Sequence, residues 1–122
     1  MAKILIIDDD PQVQKLMVSY LNRDGHETVT AGDGKRAIVQ LSSQRFDLVI
    51  TDIVMPERDG LEVIMWVKEQ QDCPKIIAIS GGSVKLDKNL LLDVARFTAD
   101  KVMPKPVDYA TLTTAIREVL QS

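Results

Sequence analysis

Short apolar runs alternate with amphipathic stretches five times along the chain. Lys3–Ile7, Glu27–Ala31, Phe46–Thr51, Lys75–Ser80 and Lys101–Met103 read as strands. The first, third and fourth are near-continuously apolar, as expected of central strands covered on both faces; Glu27–Ala31 and Lys101–Met103 are more mixed or shorter, which suits edges. Between them the period changes to that of a helix. Val13, Leu16, Met17, Tyr20 and Leu21 fall on one helical face, and Asp10-Pro11 supplies an N-cap followed by a first-turn proline. Leu112, Ala115, Ile116, Val119 and Leu120 repeat that face near the C-terminus, with Asp108 placed to cap it. Gly34–Leu41, Gly60–Lys68 and roughly Leu86–Ala95 complete the set. Regular alternation of this kind predicts a parallel α/β sheet with helices on both faces.

Two of the apolar strands finish in acid. Ile4-Leu5-Ile6-Ile7 runs into Asp8-Asp9-Asp10, and Phe46–Thr51 runs into Asp52, with the turn Ile53-Val54-Met55-Pro56 next. A carboxylate at the tip of a buried strand is unfavourable unless something pairs with it. If the two strands are parallel neighbours, their carboxylates converge at one sheet edge and require a cation, and hard oxygen ligands point to Mg²⁺. Ligands of open α/β sheets sit outside the carboxyl ends of the strands. Ser80-Gly81-Gly82 and Lys105-Pro106 fall at such ends too. A nucleophile, an acidic metal pocket, a hydroxyl donor and a cationic donor together fit phosphoryl transfer to a carboxylate.

Composition narrows the function classes. With 122 residues the chain is one domain by size. A formal net charge of −3 argues against nucleic-acid and anionic-membrane partners. No apolar stretch is long enough for a signal peptide or a membrane span. The single cysteine, Cys73, cannot form an internal disulfide, so a cytoplasmic location is expected and a structural or surface thiol is the preferred reading. His26, in the polar turn Asp24-Gly25-His26, is expected as an exposed loop residue.

Ile7-Asp8-Asp9-Asp10, Asp52-Ile53-Val54-Met55-Pro56 with Asp59-Gly60, Ser80-Gly81 and Lys105-Pro106 together resemble the receiver domain of bacterial two-component response regulators. The resemblance covers essentially the whole chain, as a single domain over 1–122. It implies a flavodoxin-like (CheY-like) (βα)5 sandwich, a doubly wound five-stranded parallel sheet of strand order 2-1-3-4-5. Asp52 would be the phosphoacceptor, loaded from a phosphohistidine donor on a sensor histidine kinase or histidine phosphotransfer protein. Asp9 and Asp52 would bind Mg²⁺ directly with the backbone carbonyl of Val54, and Asp8 mainly through water; Asp10 is left as a helix cap. Ser80 would hydrogen-bond a phosphoryl oxygen, with Gly81 leaving it room. Lys105 would pair with the acceptor and then with the phosphoryl group, and a cis bond to Pro106 is part of the pattern.

Three departures bear on mechanism. Val102 stands where the family commonly has Tyr or Phe as a rotating switch, and Phe97 does not occupy the matching place. Ser80 and Lys105 are further apart than usual, with the extra length around Gly81–Asn89. Val54, two residues after Asp52, offers no side chain to hydrogen-bond an attacking water. Met65-Trp66 stands where polar residues are usual, so Trp66 reads either as a partner anchor or as packing against a neighbouring helix.

The expectation is a stand-alone receiver: a binding module with self-catalysed transfer, not an enzyme, signalling to a downstream protein target and open to phosphorylation-dependent dimerisation. The last helix pattern ends about two residues before the chain does, so output is expected through this domain's own surface. An aspartyl-nucleophile phosphohydrolase would need a second Asp two residues beyond Asp52, where Val54 stands, and a flavodoxin-type nucleotide binder would meet repulsion at Asp8-Asp9-Asp10. A degenerate receiver acting without phosphorylation is the alternative, chiefly because of Val102.

Overall fold

The computed structural model describes residues 2–52, 59–80, 99–105 and 107–121, with only the backbone described at 59–61 and 80. In chain order the elements are β1 (Lys3–Ile7), α1 (Pro11–Arg23), β2 (Glu27–Ala31), α2 (Gly34–Ser43), β3 (Leu48–Asp52), α3 (Asp59–Lys68), β4 (Lys75–Ser80), β5 (Lys101–Pro104) and α4 (Tyr109–Gln121). The strands form one parallel sheet in the order β2-β1-β3-β4-β5, as expected, with β2 and β5 at the edges. The helix expected near Leu86–Ala95, the longer 81–92 stretch and Phe97 lie outside the described residues.

Alternation along the central strands divides the core in two. Ile4, Ile6, Leu48, Ile50, Ile77, Ile79 and Met103 face Met17 and Leu21 of α1 and Leu112, Ala115, Ile116 and Val119 of α4. Leu5, Ile7, Val49, Ile76 and Ala78 face Ala37 of α2 and Val63, Ile64 and Val67 of α3. Both faces of each central strand are therefore apolar, which is why those runs show no polar alternation.

Side-chain oxygens set the helix starts. Asp10 accepts from the Gln12 amide and Asp33 from the Arg36 amide. Asp108 accepts from both the amide and the hydroxyl of Thr111, and these bonds hold its carboxyl below the usual range. α1 ends where Gly25 takes φ 81°, letting Gly25 N donate to Asn22 O and His26 N to Leu21 O; this is the crossed pair of bonds that satisfies a helix's last carbonyls.

Two side chains and one strand boundary differ from their sequence reading, and for Trp66 the structure decides between two readings. Leu16, placed on the core face of α1, is 46% exposed, because Met17 and Leu21 alone point squarely at the sheet. β3 begins at Leu48 rather than Phe46, since the Asp47 carboxylate and amide pair with Lys3 N and O and hold the chain as a turn there. His26 is half-buried, its Nδ1 accepting from the Ala2 amide at 3.1 Å. Trp66 packs against the second core while its neighbour Met65 is exposed, which favours packing over a partner anchor.

Ile77 has no exposed surface and sits mid-sheet, whereas Val39 is 61% exposed. Ile77→Ala is expected to lower unfolding free energy by about 2–5 kcal/mol, and Val39→Ala to change it by less than about 0.5 kcal/mol. Denaturant titration of both variants checks the assignment; equal losses would contradict it.

Candidate functional site

Register alone brings the acids together. β1 and β3 pair Ile4 with Leu48 and Ile6 with Ile50, so one further step of two residues sets Asp8 beside Asp52. Asp52 pairs with Ile79, and Ile79 with Met103. Lys105 lies two residues beyond Met103, just past the end of β5, and its ammonium reaches Asp52 at the end of β3.

The contacts follow. Lys105 Nζ donates to Asp52 Oδ2 at 2.8 Å and lies 3.2 Å from Asp8 Oδ2. Asp8 and Asp52 are buried, at 0% and 3% exposure, while Asp9 is exposed on the solvent side of the group. One carboxylate oxygen from each of Asp8, Asp9 and Asp52 fits within 4.8 Å of the others. Asp8 Oδ1 accepts from the Asp10 amide at 2.9 Å, but buried Asp8 Oδ2 has no hydrogen-bond partner among the described residues.

Charge is unbalanced here, with three carboxylates around one ammonium. Burial pushes the Asp8 carboxyl above its ordinary range, and the Asp52 charge adds to that; the Asp10 amide and Lys105 oppose it without cancelling it. Burial pulls Lys105 the other way, but its hydrogen bond to Asp52 and the charges of Asp52 and Asp8 prevail and hold it above its ordinary value. Three carboxylate oxygens converging beside one shared ammonium, two of the carboxylates buried, fit a hard divalent cation such as Mg²⁺. Asp8, Asp9 and Asp52 would hold it.

The remaining expected site residues are placed unevenly. Ser80 ends β4 opposite Pro104, with its side chain outside the described residues. Val54, Met55-Pro56, Gly81 and Pro106 also lie outside them. Val102 is half-buried against the second core with Trp66 and Ala99. Cys73 is exposed, its one S–H shared between the carbonyls of Val67 and Gln70. Asp10 serves as the α1 cap.

Two residues escaped the sequence reading. Thr51 is fully buried and its hydroxyl donates to the Asp52 carbonyl at 3.2 Å. Gln14 donates from Nε2 to the Asp8 carbonyl at 2.6 Å and to the Ala31 carbonyl at 3.2 Å. A signal for Gln14 existed: it is a polar residue three and seven positions before Met17 and Leu21, on the buried stripe of α1.

Comparison with known proteins agrees with this geometry. Residues 4–117 match the family model described as the response regulator receiver domain. Over 119 residues the chain is 29% identical to the alkaline phosphatase synthesis transcriptional regulatory protein PhoP of Bacillus subtilis, covering 98% of this chain and 48% of PhoP. It is 31% identical to the transcriptional regulatory protein CpxR of Escherichia coli, covering 99% of this chain and 50% of CpxR. The chain thus spans about half the length of these curated relatives. The expectation that no nucleic acid is involved draws no support from them, since both are transcriptional regulators. The response regulator TrrA of Thermotoga maritima, solved in complex with Mg(2+)-BeF, superposes with a TM-score of 0.83 at 29% identity, over 98% of this chain and 99% of that one. A CheY-like receiver domain protein of Methanospirillum hungatei shares the fold with a TM-score of 0.88 at 24% identity, over 99% of this chain and 94% of that one. Among the described residues no helix is long and apolar enough to cross a membrane.

Because folding raises the Asp8 pKa, the folded protein holds more protons than the unfolded chain just above the ordinary aspartate range. Stability of the metal-free protein therefore falls as pH rises through that window, and the full penalty stands at neutral pH. Asp8→Asn in excess chelator is expected to be more stable than wild type at pH 7, because it removes a charge that burial and the neighbouring Asp52 disfavour. The gap should close as pH drops below about 3.9, where aspartate is protonated in the unfolded chain as well. Equal or lower stability of Asp8→Asn at pH 7 in denaturant titrations would refute this account.

Proposed function

The chain belongs to the response regulator receiver domain family, and on that premise we propose that Asp52 accepts a phosphoryl group from phosphohistidine on a sensor histidine kinase or histidine phosphotransfer protein. An oxygen of Asp52 bonds to phosphorus as the phosphorus–nitrogen bond breaks, and the histidine nitrogen keeps the bonding pair. The observation that carries this reading is the 2.8 Å bond between Lys105 Nζ and Asp52 Oδ2 inside a buried acidic cluster. Lys105 aims the acceptor through that bond, and its ammonium is close enough to move to a phosphoryl oxygen once the acyl phosphate has formed.

Asp8, Asp9 and Asp52 hold Mg²⁺ in this reading, with the Val54 carbonyl added from the family pattern. When bound, the ion offsets the negative charge that gathers as a carboxylate meets a phosphoryl group. Ser80 donates its hydroxyl to a phosphoryl oxygen. The Mg(2+)-BeF complex of TrrA supports the assignment, being a relative covered almost end to end.

Signalling is by altered partner affinity, through a shift of population on phosphorylation, without a diffusible metabolic substrate. We read the chain as a cytoplasmic receiver acting through its own surface on a protein target. A binding module independent of phosphorylation is the second reading. It has in its favour Val102, a small stiff side chain packed on the core where the family pattern has a movable ring.

Incubation with Mg²⁺ and a small-molecule phosphodonor, followed by peptide mass spectrometry, tests the main reading. A phosphoryl adduct is expected on the Asp52 peptide and none on that of Asp52→Asn. A folded wild type without adduct, beside a control receiver that is modified, overturns it. Val54→Asn is expected to change the adduct's lifetime, because valine has no polar group to hydrogen-bond an attacking water and asparagine has; an unchanged decay rate would count against that role.

A further inference from the structure

Asp9 is the exposed member of the acid cluster, and among the described residues its carboxylate makes no hydrogen bond. Among the described residues, only its own backbone aims it. The orientation of that backbone depends on the preceding peptide group, whose oxygen is the Asp8 carbonyl. That oxygen lies beyond the last residue pair of β1 and β2, Ile7 with Ala31, where the sheet no longer supplies donors. Gln14 supplies one instead, at 2.6 Å.

Its second bond, to the Ala31 carbonyl at 3.2 Å, ties the same amide to the end of β2. The Ala31 carbonyl also accepts from the Asp8 amide at 3.2 Å. Both partners of the Gln14 amide are carbonyls, so only its NH₂ end can face them, and both N–H bonds are used. Asp8 is thereby held at its amide, its carbonyl and its carboxylate, the last by the Asp10 amide. α1 sets the reach, because its start is capped by Asp10 and its Met17 and Leu21 are sunk in the core.

We propose that Gln14 is a positioning residue for the cation site: by clamping the Asp8–Asp9 peptide to the end of β2, it aims the Asp9 carboxylate at the pocket formed with Asp8 and Asp52. The proposal rests on the Mg²⁺ reading of that pocket. Gln14 touches neither ion nor acceptor and acts through the backbone. Groups that orient metal ligands from behind typically change metal affinity by about 10–100-fold when removed.

Calorimetric titration of the metal-free protein with Mg²⁺, alongside thermal unfolding in chelator, tests it. Gln14→Met keeps the length and helix preference of the side chain without its donors, and is expected to raise the Mg²⁺ Kd about tenfold or more. Its metal-free Tm should stay within a few degrees of wild type, a split that a merely structural role would not produce. Gln14→Glu is the second variant and guards against failure of the first to fold. Its added negative charge would by itself tighten a dication, whereas loss of the clamp, with oxygen facing carbonyl, weakens binding. Wild-type Kd in Gln14→Met, or tighter binding in Gln14→Glu, overturns the proposal while leaving the site reading intact. A folded wild type that binds no Mg²⁺ overturns both.

Discussion

Two carboxylates buried at the ends of adjacent parallel strands, facing one lysine, form the constraint on which the rest of this molecule depends. Asp8 and Asp52 cannot separate, because β1 and β3 are locked in register by ladder bonds and by isoleucines packed on both sides. Nor can they be neutralised fully from within, since Lys105 makes a hydrogen bond to Asp52 and only a 3.2 Å approach to Asp8. The residual negative charge is what a divalent cation at this pocket would offset. Stability is surrendered at this edge and supplied by the two cores beneath it.

The helices serve that edge more than their sequence suggests. α1 packs Met17 and Leu21 below the sheet, and by doing so brings Gln14 up to the carbonyls that end β1 and β2. α4 begins a few residues after Lys105, with Asp108 capping its first turn. At its far end α1 closes on Gly25, a position whose positive φ suits a residue without a β-carbon. Each element that touches the acid cluster is thus anchored either in a core or by a cap, so the charged groups gather on a rigid frame.

Much of this was legible in advance for a simple reason. Buried parallel strands must be apolar on both faces, so β1, β3 and β4 announce themselves as unbroken runs, and the acids that end β1 and β3 stand out against them. Caps are equally local, and Asp10 and Asp108 follow from chain neighbours alone. Leu16 and Trp66 were harder. Whether a residue on the margin of a helical stripe is covered depends on what lies opposite, and α1 turns Leu16 outward while Trp66 finds the second core. His26 looked like a free loop residue until the fold brought the Ala2 amide to its ring.

By itself the sequence determined the alternation of strands and helices, the acidic strand ends, and the chemical types present at them, because period, polarity and capping are properties of neighbours along the chain. Only the tertiary structure decided which oxygens meet which donors. Lys105 sits closer to Asp52 than to Asp8, and Gln14 rather than any residue of the acidic motif holds the Asp8–Asp9 peptide. Those choices depend on strand register and helix depth accurate to an ångström, set by packing between residues far apart in the chain, and no local pattern encodes them.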